Sequence, residues 1–73
     1  MKVGDKVVIV SRDIETIKDT HCFNVGQICE IVRVDDSLNE FEYVVKGYFE
    51  KSHNIVRQTV TRSQIEPYEV KTN

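Results

Sequence analysis

The chain has no tryptophan, a single proline and only three glycines in 73 residues. Polyproline recognition needs a groove lined by aromatic rings, and a sequence without tryptophan is poorly equipped for it. No segment approaches the roughly 18 consecutive apolar residues of a membrane span. Met1-Lys2-Val3-Gly4-Asp5 lacks the apolar core of a secretion signal, so a cytoplasmic protein with no membrane partner is expected. The two cysteines, Cys22 and Cys29, are then expected as reduced thiols, not a disulfide. A strong excess of one charge is also missing. The net charge is −2 and the pI about 5.6, whereas general polyanion binders carry a clear basic surplus.

Catalytic signatures are equally sparse. No serine sits in a nucleophile elbow, no glycine-rich loop is placed to cradle phosphate, and the carboxylates are scattered. His21-Cys22, Cys29 and His53 are residue types that bind zinc, but their dispersion does not match the paired, closely spaced ligands of a structural site. His21 and Cys22 are sequence neighbours, which on an extended chain point to opposite sides, so they do not form a base and nucleophile pair. No enzyme, metal or cofactor is expected.

An apolar fraction of 40% beside 30% charged residues is that of an ordinary folded domain. Its length allows one small core, giving one domain over residues 1–68 with a frayed tail over 69–73. The most strongly β-prone run is Val25-Gly26-Gln27-Ile28-Cys29-Glu30-Ile31-Val32-Arg33-Val34. Apolar residues fall on both parities, so its phase must slip if Ile28 and Ile31 both face inward, and a β-bulge near Cys29 or Glu30 would absorb the extra residue. A bent central strand suggests a barrel.

Before this run, Lys6-Val7-Val8-Ile9-Val10 reads as a strand following a glycine turn. Residues 11–24 read as a long loop with one helical turn around Ile14 and Ile17, capped by Asp13, with Cys22 and Phe23 tucked against the core. After it, Asp35-Asp36-Ser37-Leu38-Asn39 is a turn cluster, and residues 40–46 alternate as a strand that Gly47 ends. A polar loop over 48–54 leads to a strand at Ile55-Val56-Arg57-Gln58-Thr59-Val60. A short 3-10 turn at 61–63 precedes a last strand at 64–68, where Pro67 is tolerable on an edge.

The expected fold is thus all-β with five short strands, a long first loop and a 3-10 turn before the last strand. The segments Val3-Gly4-Asp5-Lys6-Val7-Val8-Ile9, Val25-Gly26-Gln27-Ile28-Cys29-Glu30-Ile31, Tyr43-Val44-Val45-Lys46-Gly47 and Ser63-Gln64-Ile65-Glu66-Pro67-Tyr68 resemble the small single-domain SH3-like barrels of bacterial and bacteriophage genomes, distantly similar to KOW-type domains. The resemblance covers nearly the whole chain. It implies a five-stranded SH3-like barrel and a phage-encoded accessory protein that binds and modulates host machinery.

Charge is unevenly distributed. Residues 1–45 hold nine acidic and five basic side chains, whereas residues 46–62 hold four basic ones against Glu50. The basic part interleaves rings with cations at Tyr48, Phe49, Lys51, His53 and Arg57. Aromatics and arginine dominate protein-interface hot spots, so these five are the candidate partner-binding residues for a protein. Rings among cations also suit single-stranded nucleic acid, which makes a KOW-type nucleic-acid module the alternative. Asp35, Asp36, Glu40 and Glu42 form an opposing acidic candidate surface. Open strand edges offer a third mode, pairing with a partner or a second copy.

Overall fold

In the computed structural model of the chain, residues 1–35 and 42–69 are described. Gly4 and Gly26 each take a φ near +90°, a conformation that glycine enters without steric penalty, and each turns the chain into a strand. β1 spans Lys6–Ile9, β2 Ile28–Val34, β3 Tyr43–Phe49, β4 Asn54–Val60 and β5 Ile65–Pro67, with a 3-10 turn at Arg62–Gln64 before the last. All pairings are antiparallel, in one sheet of order β4-β3-β2-β1-β5. Among the described residues β4 and β5 do not pair, so the ladder is open. What is shown is an all-β, five-stranded antiparallel sheet. None of its helices is long and apolar enough to cross a membrane among the described residues.

The phase slip in β2 is present, but later than expected. Glu30 pairs with Lys46 and Ile31 with Val45, the register then shifts, and Arg33 faces Val44. Val32 is the additional residue, which lets both Ile31 and Val34 face the core three positions apart. Cys29 and Ile31 are buried while Ile28 is exposed, so the expected inward Ile28 is corrected to an outward one. β3 also differs. Gly47 does not end it but lies buried in its middle, and Tyr48 and Phe49 belong to the strand. Only residues 50–53 turn into β4, with Ser52 N–H donating to Phe49 O and His53 N–H to Glu50 O, both at 3.2 Å. Asp36 through Phe41, which include most of the expected turn cluster and the start of the expected strand, lie outside the described residues, as do 70–73.

The helical turn in the first loop is instead a two-residue hairpin. Ile14 and Ile17 exchange backbone hydrogen bonds of 2.8 and 2.7 Å, with Glu15 at positive φ between them. Spacing three apart fits either geometry, and the paired bonds decide it. Asp13 is not a helix cap; its Oδ1 accepts the Asp19 N–H at 3.0 Å. Ile14 is buried and Ile17 exposed.

Val7, Ile9, Phe23, Cys29, Ile31, Tyr43, Val45, Val60 and Ile65 form the core. Phe23, from the first loop, is completely buried and closes it over. His21 is buried beside it with both ring nitrogens occupied: Nδ1 accepts the Phe23 N–H at 3.1 Å, so Nε2 carries the proton and donates to Ser11 O at 2.8 Å. Gln64 is buried as well. Its Oε1 accepts the Thr61 N–H at 2.9 Å and its Nε2 donates to the Thr20 hydroxyl, fastening the first loop to the 3-10 turn.

Candidate functional site

Alternation along the strands decides which side chains reach the outer face of the sheet. In β3, Tyr43, Val45 and Gly47 are buried, so Val44, Lys46 and Tyr48 point outward. The register sets Lys46 against Arg57 and Tyr48 against Ile55 on β4, Lys46 against Glu30 on β2, and Glu30 against Lys6 on β1. Two rows result. One is charged, Lys6, Glu30, Lys46 and Arg57. The other is apolar, Ile28, Tyr48 and Ile55, which are 40%, 47% and 63% exposed. The apolar row borders a depression of about 400 Å³ whose far side is lined by Lys6, Glu30 and Lys46.

The charged row is internally balanced on one side and open on the other. Glu30 accepts a 2.7 Å hydrogen bond from Lys6 and lies 3.7 Å from Lys46 Nζ. The Lys6 bond, followed by the Lys46 charge, holds the Glu30 carboxyl below its ordinary value of 4.5. Arg57, at the end of the row, has no ion-pair partner among the described residues. Because the folded state favours the Glu30 carboxylate, its contribution is full above the unfolded pKa and disappears as pH falls through the lower folded one. The expected result is that Glu30→Gln is less stable than the parent at neutral pH and converges with it below about pH 4.5. Urea midpoints measured across that range check it, and added salt shrinks the difference because the group is exposed.

The sequence-predicted binding residues divide between two places. Tyr48 and Arg57 stand on the outer face. His53, in a left-handed conformation, is joined to them through its Nδ1, 3.2 Å from the Tyr48 hydroxyl. Phe49, half-buried at the end of β3, and Lys51 line a polar cleft of about 490 Å³ opposite Arg12, Asp19 and Thr20 of the first loop, which Tyr48 borders as well. Of the acidic candidates, Asp35 and Glu42 are brought together by the Asp35 N–H to Glu42 O bond of 2.7 Å, while Asp36 and Glu40 lie outside the described residues. Ile28 and Ile55 were not singled out by sequence. The signal for Ile55 was its pairing with Tyr48 across a short hairpin; for Ile28 it was hidden by the position of the bulge.

His21 and Cys29 are both buried. Both nitrogens of His21 are committed to backbone partners, so it does not serve Cys22 as a base. Burial, with Cys22 nearby, pushes the Cys29 thiol up to about 11, leaving it protonated and a poor nucleophile at neutral pH. Among the described residues no group of three or more His, Cys, Asp or Glu side chains could hold a metal ion.

Comparison with known proteins leaves the site to speak for itself. No protein-family model, curated protein or solved structure matches this chain.

Proposed function

We propose that the chain is a non-catalytic binding module of SH3-like barrel type, acting in the cytoplasm, that engages a protein partner through the outer face of β2, β3 and β4. The observation that carries this reading is the contiguous exposure of Ile28, Tyr48 and Ile55, three large apolar side chains aligned across neighbouring strands in a domain whose core is already filled by others. Such a grouped exposure is a mark of interaction surfaces, unlike singly scattered apolar residues. Tyr48 and Arg57 supply the side chains most often found at the centre of protein interfaces. The long first loop, the five strands and the 3-10 turn support the barrel type. In a phage, a module of this kind would act as an accessory protein that binds host machinery.

A nucleic-acid surface of KOW type is the weaker reading. Of the three cations in the charged row, both lysines are already held by Glu30, which leaves Arg57 on that face to meet phosphates. Binding that released many counterions would need more.

The test is affinity capture from bacterial lysate with nuclease, comparing the parent with Tyr48→Ala and Ile55→Ser. Both positions are exposed strand sites, so each variant loses about 1–2 kcal/mol of strand propensity and cross-strand pairing and stays folded, which a thermal melt checks before capture. A protein that is retained by the parent after nuclease and lost from both variants is the expected result. Retention that ignores both substitutions, or that vanishes with nuclease, overturns the reading.

A further inference from the structure

The two edges of the sheet are protected very differently. β5 is three residues long and ends in Pro67, the short, proline-bearing form that discourages a further strand. β4 is seven residues long, without proline, glycine or bulge, and among the described residues it pairs only with β3.

The hydrogen bonds of the inner strands fix which backbone groups of β4 face away from β3. Ile31 directs both its N–H and its carbonyl toward the β1 side, donating to Asp5 O at 2.9 Å and accepting from Gly4 N at 2.8 Å. Backbone direction alternates along a strand, so Glu30 is turned to β3 and its partner Lys46 is turned to β2. The Tyr48 carbonyl agrees, because it accepts from the Gln27 side chain at 2.7 Å on that same side. Val45 and Gly47 are therefore turned to β4, where they meet Gln58 and Val56. It follows that Ile55, Arg57 and Thr59 direct their N–H and C=O groups to the open edge, and all three are exposed.

We infer that the β4 edge accepts an extended strand from the protein partner, hydrogen-bonded to Ile55, Arg57 and Thr59. The added strand continues both rows of the outer face. It sets an apolar side chain beside Ile55 and a carboxylate beside Arg57, the cation at the end of its row that has no ion-pair partner among the described residues. A second copy of this chain is a poorer occupant, because antiparallel pairing of two β4 strands about their centre brings the two Arg57 side chains together. The inference specifies how the partner proposed above is held, and rests on that reading.

The probe is a short, end-blocked synthetic peptide that alternates serine with Ile, Glu and Val, followed by amide exchange and chemical shifts of the labelled full chain. In the free protein the amides of Ile55, Arg57 and Thr59 exchange rapidly while those of Val56 and Gln58 are protected; on addition of peptide the first three become protected. Replacing Thr59 by proline removes an N–H that β3 does not use, so the fold is kept and peptide affinity drops about tenfold or more. A peptide with lysine for glutamate binds more weakly than the original. Protection of Ile55, Arg57 and Thr59 in the free chain at low concentration overturns the inference, as does the absence of saturable shifts at millimolar peptide. Concentration-dependent protection without peptide assigns the edge to a second copy and overturns it too. If Thr59→Pro holds a captured protein as tightly as the parent while Tyr48→Ala loses it, strand addition fails and the outer-face reading survives.

Discussion

Gly47→Ala is expected to destabilise the domain by about 1–3 kcal/mol, the range for forcing a methyl group into a packed core. The reason is space, since the backbone at this position is ordinary β-strand. A Cβ built on Gly47 lies 2.6 Å from Cys29 Sγ, 2.9 Å from Phe23 Cε1 and 3.0 Å from Gln27 Nε2. Two of these neighbours are core side chains with no room to retreat, and the third is tied to the Tyr48 carbonyl. In a chain of this size each kcal/mol moves the thermal midpoint by about 4–8 °C, so calorimetry resolves the effect readily. The double substitution with Cys29→Ala tests the cause. Removing Sγ takes away the closest contact, and the pair is expected to be less destabilised than the sum of the single changes by about 0.5–3 kcal/mol. Strict additivity would show that the methyl group is accommodated elsewhere and that Gly47 is not packed against Cys29.

This glycine also shows where sequence reasoning reached its limit. Read along the chain, Gly47 after an alternating run signals the end of a strand; in the sheet it is the position where β3 lets Phe23 and Cys29 come close. That requirement comes from the first loop and from β2, and nothing adjacent to Gly47 records it. The strand content was legible because β-branched residues and glycine turns are local signals, and so the five strands and the 3-10 turn emerge within a few residues of their observed limits. The position of the bulge was not, because Ile28 and Ile31 fit the core equally well until β3 sets the register. The same uncertainty hid half the candidate site. Tyr48, His53 and Arg57 announce themselves by residue type, whereas Ile28 and Ile55 look like core residues until the outer face is assembled. Tyr48 borders both the outer-face depression and the cleft beside the first loop, whereas Phe49 and Lys51 line only the cleft, since successive strand residues alternate faces and the turn carries Lys51 away.

Gln64→Leu is expected to be the more damaging substitution, although leucine is similar in volume and the site is completely buried. Gln64 is held from both ends. The Thr61 N–H donates to its Oε1 at 2.9 Å, and its Nε2 donates to the Thr20 hydroxyl, which itself lies 3.1 Å from the Arg12 carbonyl. Its own carbonyl receives the Val10 N–H at 2.8 Å, so one residue connects the end of β1, the 3-10 turn and the first loop. Leucine leaves the Thr61 N–H buried without an acceptor, at about 1–3 kcal/mol, and removes the donor that fixes Thr20. The combined loss of about 2–4 kcal/mol is a large part of the roughly 4–11 kcal/mol available to a chain this long. Urea unfolding measures it, and amide exchange locates it, with the Thr20 and Thr61 amides losing protection ahead of those in β2 and β3. Gln64→Glu separates hydrogen bonding from packing. As a carboxylate it offers Thr20 no donor and buries a charge, so it is destabilised at neutral pH; its folded-state pKa is raised, and stability recovers as pH falls through that value because the protonated acid can donate in place of the amide. A Gln64→Leu variant as stable as the parent would mean that the first loop is held by Phe23 and His21 without this amide, and that the wall of the cleft formed by Arg12, Asp19 and Thr20 is positioned by packing.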